Sequence, residues 1–172
     1  MPKIIQNVRE QLLNEAKRQI VELGYENTTI RSVASACGLG VGTVYNYFKS
    51  KDILIASFLL DDWFFALAQM KRRSSSEQKE TIFAIYDELT KFIEKHAVLF
   101  SDKSATKTFA GVFSERHKLL RSQIAEIIAP ICEHKSVDKV FLSEFIAESV
   151  LTWTVAKKDF EEIFAVISAL LK

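Results

Sequence analysis

The sequence predicts an all-α fold of about nine helices, on three observations. Helix breakers are scarce, with five Gly and two Pro in 172 residues, and Gly38, Gly40 and Gly42 fall within five positions, which leaves most of the chain open to long helices. Apolar residues recur at three- and four-residue steps, the period of an amphipathic helix, and no stretch alternates convincingly at the period of a strand. A hydrophobic content of 48% with 26% charged residues is a globular balance, too apolar for a disordered chain.

Helix 1 is expected from Ile5, Val8, Leu12, Ala16, Ile20 and Leu23, with Gly24 ending it in a left-handed cap. Thr28 or Thr29 caps a short second helix whose inner face is Ile30, Val33, Ala34 and Cys37, stopped by Gly38. After the turn Gly38-Leu39-Gly40, a third helix spans about 41–48, with Val44 and Phe48 inward and Gly42, Thr43, Tyr45, Asn46 and Tyr47 outward. Ser50 caps a fourth helix to about Lys71, with Asp52 in its positive first turn, and 71–76 reads as a linking loop.

Further helices are expected at about 77–98 and, after a break at 101–104, in a short segment to Ala110 that Gly111 ends. Another then reaches about Cys132 with Pro130 near its end, and two more span about 137–154 and 157–171. The division predicted is a short-helix N-terminal domain over 1–49 and a longer helical domain over 50–172.

Charge supports that division. Residues 1–51 hold seven basic and four acidic groups, a net of +3, against 16 and 18 in the remainder, a net of −2, so the positive character sits at one end. Two short helices joined by a tight glycine turn, the second with a polar outer face, are what a helix-turn-helix requires: the second helix enters a major groove about 12 Å wide. Gly40 and Gly42 let the backbone approach the duplex, near helix N–H groups that attract phosphate. Thr43, Tyr45 and Tyr47 bring hydroxyls, and Lys51 brings a charge for the backbone.

The runs Tyr25-Glu26-Asn27-Thr28-Thr29-Ile30-Arg31 and Ala34-Ser35-Ala36-Cys37-Gly38-Leu39-Gly40-Val41-Gly42-Thr43-Val44-Tyr45-Asn46-Tyr47-Phe48-Lys49-Ser50-Lys51-Asp52-Ile53-Leu54 resemble the TetR family of regulators over roughly the first third of the chain. The resemblance implies a DNA face of Thr28, Thr29, Arg31, Gly40, Val41, Gly42, Thr43, Tyr45, Asn46, Tyr47 and Lys51, with Lys51 at the family's phosphate-contacting lysine. Leu39, Val44 and Phe48 would pack. Gly40-Val41 stands where Ser-Lys is frequent, which shifts base reading toward Val41 against a thymine methyl and toward Thr43 and Asn46. It further implies a dimer on a near-palindromic operator, usually a repressor, released by a small inducer.

Rings crowd the rest of the chain. Phe58, Trp63, Phe83, Tyr86, Phe109, Phe113 and Trp153 are the expected lining for an apolar or aromatic ligand, although rings at helical spacing more often serve as plain core. The last two helices carry Phe141, Phe145, Leu151, Val155, Ile163, Val166, Ile167 and Leu170, more apolar surface than a terminal hairpin needs, and the family resemblance makes them a homodimer interface.

No cofactor, metal or catalysis is expected: His96, His117 and His134 lack ligand spacing, and no nucleophile elbow or phosphate loop occurs. The charged N-terminus lacks a signal peptide's apolar core, and Asp61 and Asp62 interrupt the most apolar stretch, 53–70, so a cytoplasmic protein with no membrane partner is expected. A protein-interaction module built on the aromatic C-terminal surface is the competing reading, and salt-sensitive, sequence-selective DNA binding separates the two.

Overall fold

A computed structural model of the chain describes residues 7–133 and 137–172, and the side chains of all of these except 110–116. The helices are α1 (Val8–Asn27), α2 (Ile30–Ala36), α3 (Val41–Tyr47), α4 (Lys51–Arg73), α5 (Gln78–Lys95), α6 (Ala97–Ser101), α7 (Lys103–Ile128), α8 (Lys139–Val155) and α9 (Phe160–Leu170), with a 3-10 turn at Ala129–Cys132. Among the described residues there is no strand, and the all-helical expectation holds.

The chain divides into two compact units, one of 1–62 with 96–108 and the other of 63–95 with 109–172. In the first, α1 packs on α2 and α6, and α2 packs on α3. Leu12, Leu13, Ala16, Ile20, Val33, Ala34, Val44 and Phe48 are buried there. In the second, α5 packs on α8 and α9 around Met70, Ile82, Ile85, Ile124, Ile128, Ile146, Val150 and Ile167, and Arg73 reaches Glu88 at 2.7 Å and pairs with Asp87.

Three local expectations change. Gly24 does take a positive φ of 79°, but its ψ of 172° is not a left-handed helical cap, and 25–27 close a further turn beyond it. The single helix expected over 77–98 breaks at His96 (φ −110°, ψ 15°), whose buried ring lies 3.1 Å from Asp62 and stacks on Phe58 at 5.9 Å. The end expected at Gly111 does not occur, since α7 runs through it. One glycine costs a helix about 1 kcal/mol, which the packing of a 26-residue helix outweighs.

By length and composition α4 could cross a membrane, with a mean hydropathy of 1.5 over 18 residues. Its mid-helix acids are nonetheless paired, Asp61 with Arg9 at 2.9 Å and Asp62 with Lys17 at 2.9 Å. Leu54, Ile55 and Phe58 are buried in the first unit, and Trp63, Leu67 and Met70 in the second. That is the placement of a core helix.

Candidate nucleic-acid interface

The turn between α2 and α3 is closed by its own backbone. Gly38 sits at φ +66°, its N–H donates to Ser35 O at 3.1 Å and the Leu39 N–H donates to Ala34 O at 2.9 Å, the paired bonds of a Schellman ending. At the other end of α2, Thr29 rather than Thr28 is the cap: its hydroxyl accepts from the Ser32 N–H at 3.0 Å, and the Ser32 hydroxyl accepts from the Thr29 N–H at 3.0 Å. Ser32 also donates to Gln19 of α1 at 2.6 Å. Hence α2 and the turn are rigidly placed before α3 begins.

Along α3, Val44 is fully buried and Phe48 nearly so, Val41 and Thr43 are half-buried, and Gly42, Tyr45, Asn46 and Tyr47 are exposed. At 100° per residue, Gly42 and Asn46 lie at the centre of the outward face with Thr43 beside them, and Tyr45 and Tyr47 flank it on opposite sides. A polar strip between two tyrosines suits base edges at the centre and phosphates at the margins. Nothing lies within 4 Å of a Cβ built on Gly42. Gly42→Ala should therefore fold as well as the parent, so weakened DNA binding would report on the approach of the duplex. Gly38 has the same open space but a positive φ, and Gly38→Ala should cost about 1–2 kcal/mol; matched melting curves check the contrast.

Two residues of the expected DNA face have partners within the chain. Thr28 is fully buried and its hydroxyl donates to Gly24 O at 2.8 Å, so it supports the start of α2 rather than facing DNA. Lys51 donates to Tyr25 O at 2.9 Å and lies 3.8 Å from the centre of the Tyr25 ring, ties that hold α4 to the end of α1. Arg31 and Lys49 are exposed. Lys49, directly after the α3 cap, is the cation that attention to the family lysine passed over. Arg31→Ala and Lys49→Ala should each lower the slope of log affinity against log salt by about one unit with unchanged melting. Lys51→Ala should lower the melting temperature as well, and identical behaviour of all three would contradict this division.

Of the rings expected to line a pocket, Phe58 belongs to the first unit and Trp63, Phe83, Tyr86, Phe109 and Trp153 to the second. Phe58 is buried in the first unit against His96. In the second unit Trp63 packs edge-on to Phe92 at 5.6 Å and donates its indole N–H to Gln123 at 2.8 Å, while Phe83 and Tyr86 pack on Phe160 at 4.9 and 5.5 Å. Phe83 is 43% exposed and Trp153 48%, because the phases of α5 and α8 turn Ile82, Ile85, Ile146 and Val150 inward instead. Phe109 is buried; the Phe113 side chain lies outside the described residues, as does His134.

The expected dimer residues divide in two. Leu151, Ile163 and Ile167 are buried in the second unit's core, whereas Phe141 (63% exposed), Phe145 (49%), Val155, Val166 (65%) and Leu170 face outward. The inner face of α8 packs on α5, and its outer side presents Phe141, Phe145 and Val155 among Glu144 and Glu148. Among the described residues no group of three or more His, Cys, Asp or Glu is placed to hold a metal ion.

Residues 12–58 match the model of the family described as bacterial regulatory proteins, tetR family. Over 101 residues the chain is 29% identical to the HTH-type transcriptional repressor KstR2 of Mycolicibacterium smegmatis, an alignment covering 56% of this chain and 49% of that protein. Over 66 residues it is 32% identical to the HTH-type transcriptional regulator UidR of Escherichia coli, covering 38% and 34%. The matched stretches thus span half or less of these relatives' length. A TetR transcription regulator from Haloarcula marismortui has the same fold, with a TM-score of 0.65, 19% identity and coverage of 94% and 93%.

Proposed function

From the match of residues 12–58 to the TetR family of bacterial regulatory proteins, we propose that this chain is a homodimeric transcriptional repressor released from a palindromic operator by a small apolar or aromatic ligand. The carrying observation is the outward face of α3, a polar strip of Gly42, Thr43 and Asn46 between Tyr45 and Tyr47 with its apolar side fully packed. Residues 1–49 do the reading. Thr43, Asn46 and the edge of Val41 meet bases, while Thr29, Arg31, Gly40, Gly42, Tyr45, Tyr47 and Lys49 meet the backbone or let it approach.

Phe141, Phe145, Val155, Val166 and Leu170 form the contact with a second copy, with Trp153 beside them. Two α3 helices about 34 Å apart then fall in successive major grooves, which is what a palindromic site selects. A ligand that binds better to a dimer with another spacing weakens DNA binding by the difference in its two affinities. Among the described residues Trp63 and Phe109 are the expected rings buried in the second unit, and the ligand's place is beside them. The naming of KstR2 as a repressor favours repression over activation.

Selection of bound duplexes from a random-sequence pool tests the reading. A palindromic consensus with salt-dependent affinity is expected; recovery of unselected sequence would leave the protein-interaction module as the better account.

A further inference from the structure

The last turn of α1, kinked at the positive φ of Gly24, and Thr28 make a short joint, 24–28, that ends where Thr29 caps α2. At its centre Tyr25 is buried, and each of its polar groups is held from outside α1. The phenol donates to Asp52 Oδ1 at 2.6 Å and also pairs with the Thr108 side chain. The carbonyl accepts from Lys51 Nζ at 2.9 Å, and the same ammonium lies over the ring. The amide donates to Asp102 Oδ2 at 3.3 Å, and the neighbouring Glu26 carboxylate accepts from the Ser104 hydroxyl.

These partners gather at the openings of two helices. Lys51 and Asp52 open α4, Ser104 and Thr108 lie in the first turns of α7, and Asp102 immediately precedes it. Both helices have their opening residues in the first compact unit and their remainder in the second. Asp102 has a double duty, since its Oδ1 accepts from the Ser104 and Ala105 N–H groups at 2.9 and 3.0 Å as the cap of α7. Bonds from the Ala105 amide first, and from those of Tyr25 and Ser104, hold its carboxyl below the usual range. Burial, then the bond to Asp52, pushes the Tyr25 phenol up, so carboxylate and phenol keep their acceptor and donor roles at neutral pH.

Resting on the regulator reading, we propose that Tyr25 and Asp102 are positioning residues that couple the start of α2 to the opening turns of α4 and α7, so that operator binding and the state of the α7 cap influence one another. Neither residue is among those assigned to the DNA face. By reciprocity, whatever loosens the α7 cap weakens the operator complex, and operator binding tightens the cap by the same factor.

Amide hydrogen exchange on the full-length protein reads this directly, with and without a duplex selected from a random pool. In the parent, operator binding should slow exchange at Ser104 and Ala105 by about tenfold or more. Asp102→Asn keeps a carbonyl oxygen for the cap but places an amide against the Tyr25 N–H. In that variant the slowing should be lost, and in the DNA-free protein exchange over 29–33 should rise by about tenfold. Tyr25→Phe, which removes only the hydroxyl, should raise exchange over the same residues to a smaller degree, and carries the test if Asp102→Asn does not fold. Unchanged exchange over 29–33 in both variants overturns the coupling, as does equal slowing of the cap in parent and Asp102→Asn. A parent that selects no duplex refutes the regulator reading alone, because the DNA-free comparison still judges the joint.

Discussion

Phe145→Asp should convert the protein from dimer to monomer and reduce its affinity for a palindromic duplex by at least a hundredfold. The ring is 49% exposed on the chain by itself, beside Phe141 on the next turn at a centroid distance of 6.2 Å, so its removal leaves the protomer's core intact. In a twofold interface the change occurs twice. Burying a phenylalanine is worth about 1.5–3 kcal/mol, and an unpaired carboxylate placed in the same surface adds a desolvation cost. Two such losses exceed the roughly 2.8 kcal/mol that a hundredfold change in affinity requires. Light scattering behind size exclusion should show half the parent mass with little change in melting. A variant that remains dimeric would assign the interface to another face.

Asp62→Ala carries the largest expected effect on stability. Asp62 stands on α4 between Lys17 of α1 at 2.9 Å and His96 at 3.1 Å, with the Phe58 ring beside both partners. Three segments of the first unit therefore meet at one carboxylate. Removing it leaves the buried His96 without its acidic neighbour, whereas Lys17, only partly covered, can turn toward water. Breaking a buried pair costs about 3–5 kcal/mol; with Lys17 able to relax, the low end applies, which lowers the melting temperature by roughly 6–12 °C in a chain of this size. The adjacent residue supplies the control. Asp61 pairs with Arg9 at 2.9 Å in the open, where such pairs contribute about 0–1 kcal/mol, so Asp61→Ala should melt within a few degrees of the parent. Equal effects at the two positions would contradict the placement of Asp62.

The helix-turn-helix was legible because its determinants are local. Gly38 in the left-handed region, Thr29 with Ser32, and Val44 with Phe48 all act within a few residues of one another, and the structure builds α2 and α3 from them. What the sequence hid depends on partners far along the chain. The break at His96 answers to Asp62, 34 positions earlier, and Lys51 reads as a phosphate ligand alone until its bond to the Tyr25 carbonyl, 26 positions before it, is seen. Thr28 and Thr29 are chemically alike, and only the direction of the chain after Gly24 buries one and exposes the other. The rings were hardest to place, because apolar residues and the acids Glu144 and Glu148 share the outer side of α8, and periodicity then carries little phase. Leu151 turned to the core while Phe141, Phe145 and Trp153 turned outward, an outcome set by where α5 packs.

The most direct test of a dimer reading successive major grooves is fluorescence anisotropy on the selected palindrome and on the same duplex with one half-site scrambled. Two protomers should bind each intact palindrome, with affinity falling about a hundredfold or more when one half is lost. Equal affinity for the two duplexes, or one protomer per palindrome, would contradict it.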